Sequence, residues 1–391
     1  MNRLENDILK ENIYLDYHST TPIDRRVADR IYQTMIENFG NASSIDHEWG
    51  DRAATAVNQA AQQVAELINA SPREILWTSG ATESINLAIQ GSYPQNTTSY
   101  KIALSPIEHK AVLDTCQALE KQGKVELIYL KINEKGRLDL NDVENICSQG
   151  ISLLCVMAAN NEIGNIYPIE AIGKIAKQYN TPFLCDASQA VGKIPIQFEQ
   201  WGITYLAISA HKLYGPQGVG ALVIRKGNKL TPLLFGGGQQ NSIRPGTLNV
   251  PGIVGLGEAC RLRQLEMTID ETAIAQKRDR LQSLLLKEIP GLILNGDLPN
   301  RLAGNLHISI PDIPNSAVIA RVRSRLAIST GSACTSGVDI PSHVLRAIGM
   351  PSEVIEGALR IGIGKFTTDI EIEQAAEILT IAIQSIRDLM R

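Results

Sequence analysis

Several familiar signals are missing from this chain of 391 residues. It has no run of basic residues, and its formal net charge is −4, which argues against a nucleic-acid binder. Its longest apolar run, Leu153 to Ala159, is far too short to span a bilayer. The opening Met1-Asn2-Arg3-Leu4-Glu5-Asn6-Asp7 is too charged for a secretory signal. The six cysteines are scattered and form no Cys-x-x-Cys pair, so neither a disulfide framework nor a zinc knuckle is indicated. His18, His47, His307 and His343 do not make a metal-spaced set, and no resident metal is expected. There is no internal repeat and no low-complexity tract. What remains, with 44% hydrophobic and 20% charged residues, is the composition of an ordinary globular protein. The chain is long enough for two domains with large cores. Its simplest home is the cytoplasm or a similar reducing compartment.

From about Glu74 to Arg225, short apolar runs alternate with amphipathic stretches. Ile75-Leu76-Trp77, Lys101 to Leu104, Leu153 to Val156 and Ala221 to Ile224 read as buried strands. Arg52 to Asn69 reads as a helix, with Ala53, Val57, Ala60, Val64 and Leu67 at helical spacing. Such alternation implies an α/β fold with a mostly parallel sheet covered on both faces. Ligands of such sheets sit at the carboxyl ends of the strands. Asp186, Asn161, His109 and the Ser79-Gly80 turn all follow predicted strands. After about Arg263 the character changes. A polar helical stretch over Thr268 to Glu288 leads to a strand over Leu306 to Ile310. A final helix is predicted from Thr368, with Glu371 placed for a capping box.

Lys212 carries the most chemical information. It sits in Ser209-Ala210-His211-Lys212-Leu213-Tyr214-Gly215-Pro216, downstream of Asp186-Ala187-Ser188-Gln189, which ends the apolar run Thr181 to Cys185. A lysine before a Gly-Pro turn, with an aspartate ending the preceding strand, suits a Schiff-base lysine for pyridoxal phosphate (PLP). The aspartate would pair the pyridinium nitrogen. Burial depresses a lysine pKa, so such an amine can anchor covalently and also shuttle protons.

Other stretches gain meaning beside it. Thr78-Ser79-Gly80-Ala81-Thr82-Glu83 links a strand to a helix predicted to open at about Ser84. Free backbone N–H groups there suit a phosphate, and a plain N-cap is the alternative. Ser209 and His211 offer further donors. His109 follows a strand and can stack on a cofactor ring or relay protons, or simply start a surface helix. Asn161 offers an amide to cofactor or substrate, or makes an Asx turn. Arg360, flanked by apolar residues, is either a bidentate clamp for a substrate carboxylate or half of an internal salt bridge. Cys334 lies in Gly331-Ser332-Ala333-Cys334-Thr335-Ser336-Gly337, a small polar loop that suits a travelling nucleophile. Cys116, Cys147, Cys155, Cys185 and Cys260 sit in helical or strand patterns and are assigned to packing.

Together these stretches resemble the cysteine desulfurases of the NifS/IscS type, in the class V aminotransferase branch of fold-type I PLP enzymes. The resemblance runs from Tyr14-Leu15-Asp16-Tyr17-His18-Ser19-Thr20-Thr21-Pro22 and Gly40-Asn41-Ala42-Ser43-Ser44, through the motifs above and Arg244-Pro245-Gly246-Thr247, to Phe366-Thr367-Thr368. It implies a large PLP-binding domain over 17–262, with a seven-stranded type of sheet flanked by helices. It also implies a smaller α+β domain from 1–16 and 263–391, carrying the Cys334 loop. By the same resemblance Lys212 would hold PLP, Asp186 would pair its ring nitrogen, and Gln189 its phenolic oxygen. His109 would stack on the ring, and Ala81, Thr82, Ser209 and His211 would bind the phosphate. Thr247 would reach the phosphate of a neighbouring subunit, so a homodimer would share its active sites. Asn161 and Arg360 would hold the carboxylate of L-cysteine. Cys334 would accept the sulfur for an iron–sulfur scaffold or another acceptor protein, and would be the one candidate ligand for a cluster in transfer. Ala42 departs from the usual proline, and the sequence ends at Arg391, short of the tail that housekeeping members use for docking. A selenocysteine lyase or a cysteine or cystine lyase on the same scaffold is the rival reading.

Overall fold

The structure is a computed structural model and describes residues 12–94, 100–330 and 341–390. Its strands in chain order are β1 Ile13–Tyr14, β2 Ile75–Thr78, β3 Lys101–Leu104, β4 Glu126–Tyr129, β5 Leu153–Cys155, β6 Phe183–Asp186, β7 Tyr205–Ser209, β8 Gly220–Ile224, β9 Ile293–Leu294, β10 Asn305–Ser309, β11 Leu326–Ala327 and β12 Ala358–Gly362. The helices are α1 Arg25–Glu37, α2 Glu48–Ile68, α3 Ala81–Ser92, α4 Lys110–Lys121, α5 Leu140–Ser148, α6 Ile169–Gln178, α7 Val250–Glu288, α8 Asn315–Val322, α9 His343–Ala347, α10 Ser352–Glu356 and α11 Asp369–Leu389.

Seven strands form one sheet in the order β2-β8-β7-β6-β5-β3-β4. β8 runs against both neighbours, and the other adjacent pairs are parallel. Strands β5, β6 and β7 are buried along their whole length, as expected for parallel strands covered on both faces. One apolar cluster packs α2, α5 and α6 against one face, and a second packs α3 and α4 against the other. A third cluster lies under a three-stranded antiparallel sheet, β12-β10-β9, and holds the apolar stripe of α11.

Helix α7 joins two of these clusters. Val250 to Leu262 belong to the first, and Ile274, Leu281 and Leu285 to the third. Between them Arg263 is fully buried. It donates to the Gly192 carbonyl (2.6 Å) and pairs with Asp270 and Glu271. The polar pattern predicted a helix only from Thr268, whereas α7 begins at Val250. Its first turns are rich in glycine, which lowers helix propensity. They are helical because packing requires them there. A Cβ on Gly257 would come within 2.7 Å of the Ala60 Cα on α2, so the two helices touch backbone to backbone.

The capping box at the last helix is present as expected, with Thr368 and Glu371 satisfying each other's backbone donors. Cys116, Cys147, Cys155, Cys185 and Cys260 are all buried, as assigned.

Candidate active site

A cavity of about 860 Å³ opens at the carboxyl ends of the parallel strands. Of the residues expected to carry chemistry, Ala81, Thr82, His109, Asn161, Asp186, Gln189, Ser209, His211, Lys212 and Arg360 all line it. They come from distant parts of the chain and meet because the segments carrying all but Arg360 lie at the same edge of the large sheet, while Arg360 reaches in from β12.

Lys212 follows β7 in a single turn of 3₁₀ helix, Ala210–Lys212. Its Nζ donates to the carbonyls of His18 and Ser19, each at 2.6 Å. Burial lowers its pKa to about 7, assisted by the charges of Lys193 and Arg360 and opposed by Asp16 and Asp186. Close to half of such amines are neutral at pH 7, which a carbonyl-condensing nucleophile requires.

At one end of the cavity stands the start of α3. The helix opens at Ala81, one turn earlier than predicted, because Gly80 turns the chain sharply with φ +155° and ψ −178°. That conformation is essentially confined to glycine. Gly80 has no side chain to cap the helix, so the helix N-terminus faces the cavity with no side-chain acceptor. β8 passes close by: a Cβ on Gly220 would lie 2.7 Å from the Gly80 Cα. The Ser209 hydroxyl would lie 4.0 Å from a Cβ on Gly80, and His211 also lines the cavity. Burial lowers the His211 pKa to about 4, with Lys212 and Lys193 adding to the effect, so its ring is neutral. The His211 Nδ1 lies 3.0 Å from the Thr20 hydroxyl.

Asp186 ends β6, and its Oδ1 accepts from the Ser188 backbone (2.9 Å) and hydroxyl. His109 is the N-cap of α4, and its Nδ1 accepts from the Ala111 N–H at 3.1 Å. The neutral ring therefore carries its proton on Nε2. The surrounding protein walls disfavour its charged form and lower its pKa, although Asp186 opposes this. The preceding Glu108 is buried. Its Oε1 accepts from the Met157 N–H (2.8 Å), and burial pushes its pKa well above the carboxylate range.

Arg360 makes the internal salt bridge of the two sequence readings, to Asp16. Its guanidinium donates to Asp16 Oδ1 (3.0 Å), the Ser19 hydroxyl (2.6 Å) and the Asn161 carbonyl (3.0 Å). Its Nε finds no hydrogen-bond partner among the described residues, and the side chain still borders the cavity.

Thr247 is not brought to this cavity. It lies exposed in the segment before α7. Cys334 lies outside the described residues. Sequence reasoning missed His18, Asp16, Ser188 and Glu108 as parts of the site. All four lie within or beside stretches quoted for the resemblance, but no local pattern marks a single polar residue as buried.

The donor set fits PLP. An uncapped helix start suits its phosphate, a carboxylate its ring nitrogen, and a lysine with a pKa lowered to about 7 its aldehyde. Among the described residues no cluster of potential ligands is spaced for a metal ion.

Comparison with known proteins gives a consistent result. The aminotransferase class-V family model matches residues 13–375. The chain is 41% identical to the cysteine desulfurase IscS of Anaeromyxobacter sp. (strain K) over 384 residues, covering 97% of this chain and 95% of that protein. It is 40% identical to the mitochondrial cysteine desulfurase of Arabidopsis thaliana over 380 residues, covering 96% and 83%. A solved NifS-like protein superimposes with a TM-score of 0.89 at 33% identity, covering 95% of this chain and 99% of the other.

Proposed function

The chain belongs to the aminotransferase class-V family, and from that premise we propose that it is a PLP-dependent cysteine desulfurase. It converts L-cysteine to L-alanine and leaves the sulfur as a persulfide on Cys334. The observation that carries this reading is the Lys212 amine. Its pKa is lowered to about 7, and it shares one cavity with Asp186, His109, Arg360 and an uncapped helix start.

The residues divide the work as follows. Ala81 and Thr82, with Ser209 and His211, would hold the phosphate. Asp186 would hold a proton on the ring nitrogen, and Gln189 would face the phenolic oxygen. Bound PLP supplies the electron sink that lets the carbon beside the substrate carboxylate lose its proton. Asn161 and Arg360 orient the carboxylate. Lys212 Nζ removes the proton from that carbon and later returns one. The Cys334 thiolate attacks the substrate sulfur; the carbon–sulfur bond breaks as the sulfur–sulfur bond forms, its electron pair stays with the carbon, that carbon takes up the proton released by the thiol, and L-alanine leaves. A thiol of ordinary pKa, ~8.5, is only a few per cent thiolate at neutral pH. The lone pair of a neutral His109 can take the thiol proton once its hydrogen bond to Ala111 is released.

We extend the reading to assembly and partners. A homodimer would bring Thr247 to the neighbour's phosphate site. Exposed apolar side chains support this: Tyr32, Ile36, Phe39, Ile45 and Trp49 near the start of the chain, with Phe39 stacked on Trp49, and Phe235 at 88% exposure. Residues 17–262 would form the cofactor-binding domain, and 1–16 with 263–391 the small domain. The handover of α7 from one apolar cluster to another supports that division. An iron–sulfur scaffold or another sulfur-acceptor protein in a reducing compartment would take the sulfur. No described helix is long and apolar enough to cross a membrane.

The test is incubation with sulfur-labelled L-cysteine, mass-spectrometric mapping of the label and identification of the organic product. Label on Cys334 with alanine as product supports the reading. Pyruvate and ammonia without a labelled cysteine would replace it with a lyase. Cys334→Ala should stop sulfide release while the cofactor absorbance persists.

A further inference from the structure

Gln189 faces the cavity one turn beyond Asp186, and both ends of its amide are engaged. Its Nε2 donates to the His18 carbonyl at 2.8 Å. Its Oε1 accepts from Lys193 Nζ at 2.9 Å and lies 3.2 Å from His18 Nδ1. An ammonium has donors only, so the atom facing Lys193 is the amide oxygen. His18 Nδ1, facing the same oxygen, is then the protonated nitrogen of its ring. Turning the amide over would set its NH₂ against two donors and its oxygen against a carbonyl. The same His18 carbonyl accepts from Lys212 Nζ at 2.6 Å. An unbroken path of hydrogen bonds therefore runs from Lys193 through Gln189 and the His18 carbonyl to Lys212.

We propose that Lys193 is a positioning residue of this site, which fixes the Gln189 amide and the His18 carbonyl behind the Lys212 amine and supplies a second positive charge there. The proposal deepens the PLP reading given above and rests on it.

The charge is left free to act. Among the described residues no carboxylate lies within salt-bridge distance of Lys193. Glu271 and Arg263 on α7 and Arg360 on β12 face it from further away. Burial is the main cause lowering its own pKa, to about 8. After burial, Lys193 is the leading cause of the low pKa of Lys212, ahead of Arg360, with Asp16 and Asp186 opposing. The hydrogen bonds fix where the amine points, and the charge fixes which protonation state it prefers.

The experiment is a pH titration of the visible absorbance of the holoenzyme, with thermal melts alongside, for wild type and Lys193→Met, Lys193→Gln and Lys193→Arg. In the holoenzyme the titrating group is the cofactor-bound Lys212 nitrogen, and removing a neighbouring cation favours its protonated form. Lys193→Met should therefore raise the midpoint by about one pH unit, a tenfold change in proton affinity. Lys193→Gln keeps a donor for Gln189 but no charge, so it should shift in the same direction even where the methionine variant melts early. Lys193→Arg keeps both and should stay within about 0.3 unit of wild type. A coloured wild type whose midpoint ignores both neutral variants overturns this inference alone. A wild type with no visible absorbance overturns it together with the PLP reading.

Discussion

The seven-stranded and three-stranded sheets handle buried polar groups in opposite ways. In the seven-stranded sheet, the strand interiors are apolar and the polar residues gather at the carboxyl ends, where Asp186 and Ser209 end β6 and β7. The antiparallel three-stranded sheet carries polar side chains along its strands, with Asn305, His307 and Ser309 on β10 and Arg360 on β12, all buried, and His307 and Arg360 at mid-strand. Most are satisfied locally. Asn295 donates to His307 Nδ1 (2.9 Å) and the Ser309 hydroxyl (2.8 Å), and Asn305 donates to the Glu162 carbonyl. Only Arg360 leaves that network and borders the cavity. A parallel topology thus concentrates chemistry at one edge. The small sheet contributes a single long cation that reaches across to it.

The comparison is broken most severely at the large sheet's edge. Lys212→Ala removes the amine proposed both to anchor the cofactor and to move protons, so desulfuration should fall by roughly 10³-fold or more, the scale on which such residues act. Alanine formation from cysteine measures it, and residual turnover near wild type would remove Lys212 from the mechanism. Next comes Arg360→Met. On the proposed reading it would delete charge-assisted hydrogen bonds to the substrate carboxylate, worth roughly 1.5–3 kcal/mol, and should raise KM about 10- to 100-fold. An unchanged KM, with stability lost through the unpaired Asp16, would make Arg360 purely a structural partner of that carboxylate.

The sequence was legible where one local rule decided the outcome. β3 ran over Lys101–Leu104 as expected, and the Thr368/Glu371 capping box stood where its spacing put it. Asp186 and Lys212 could be found because both follow strands of a parallel sheet. Arg360 stayed open between two roles, because a mid-strand cation in an antiparallel pair obeys no such positional rule. The first turns of α7 were hidden because Gly252, Gly255 and Gly257 serve close packing, not helix propensity. His18 and Lys193 were invisible as parts of the site. Their partner Gln189 lies 171 residues from His18, and nothing in the local pattern around His18 points to it.

A milder test uses stability in place of turnover. Lys212 has a folded-state pKa of about 7, against ~10.4 in an unfolded chain. Between those values the unfolded chain binds a proton that the folded chain does not. Stability therefore rises with pH across that window, and below pH 7 the full penalty of burying the cation is present. Lys212→Met has no such penalty. Its stability advantage over the cofactor-free wild type should shrink by about 2 kcal/mol between pH 7 and pH 9. Denaturant melts of both proteins at the two pH values measure this, and a constant gap would mean that Lys212 is not desolvated.

The smallest effect is expected one cross-strand neighbour away from Arg360. His307 pairs directly opposite it in the β10–β12 register. Burial lowers the His307 pKa to about 3, so its ring is neutral. With Nδ1 accepting from Asn295, its proton sits on Nε2, which has no hydrogen-bond partner among the described residues. His307→Phe removes that orphan donor and one acceptor together. Asn295 keeps its bond to Ser309, and the ring volume is nearly conserved. Such paired losses are close to neutral, so stability should change by no more than about 1 kcal/mol. KM for cysteine should move less than about threefold, because the ring is no part of the cavity wall. If His307→Phe instead matched Arg360→Met in its effect on KM, the small sheet would be acting on the substrate as a unit, and the contrast between the two strands would fail.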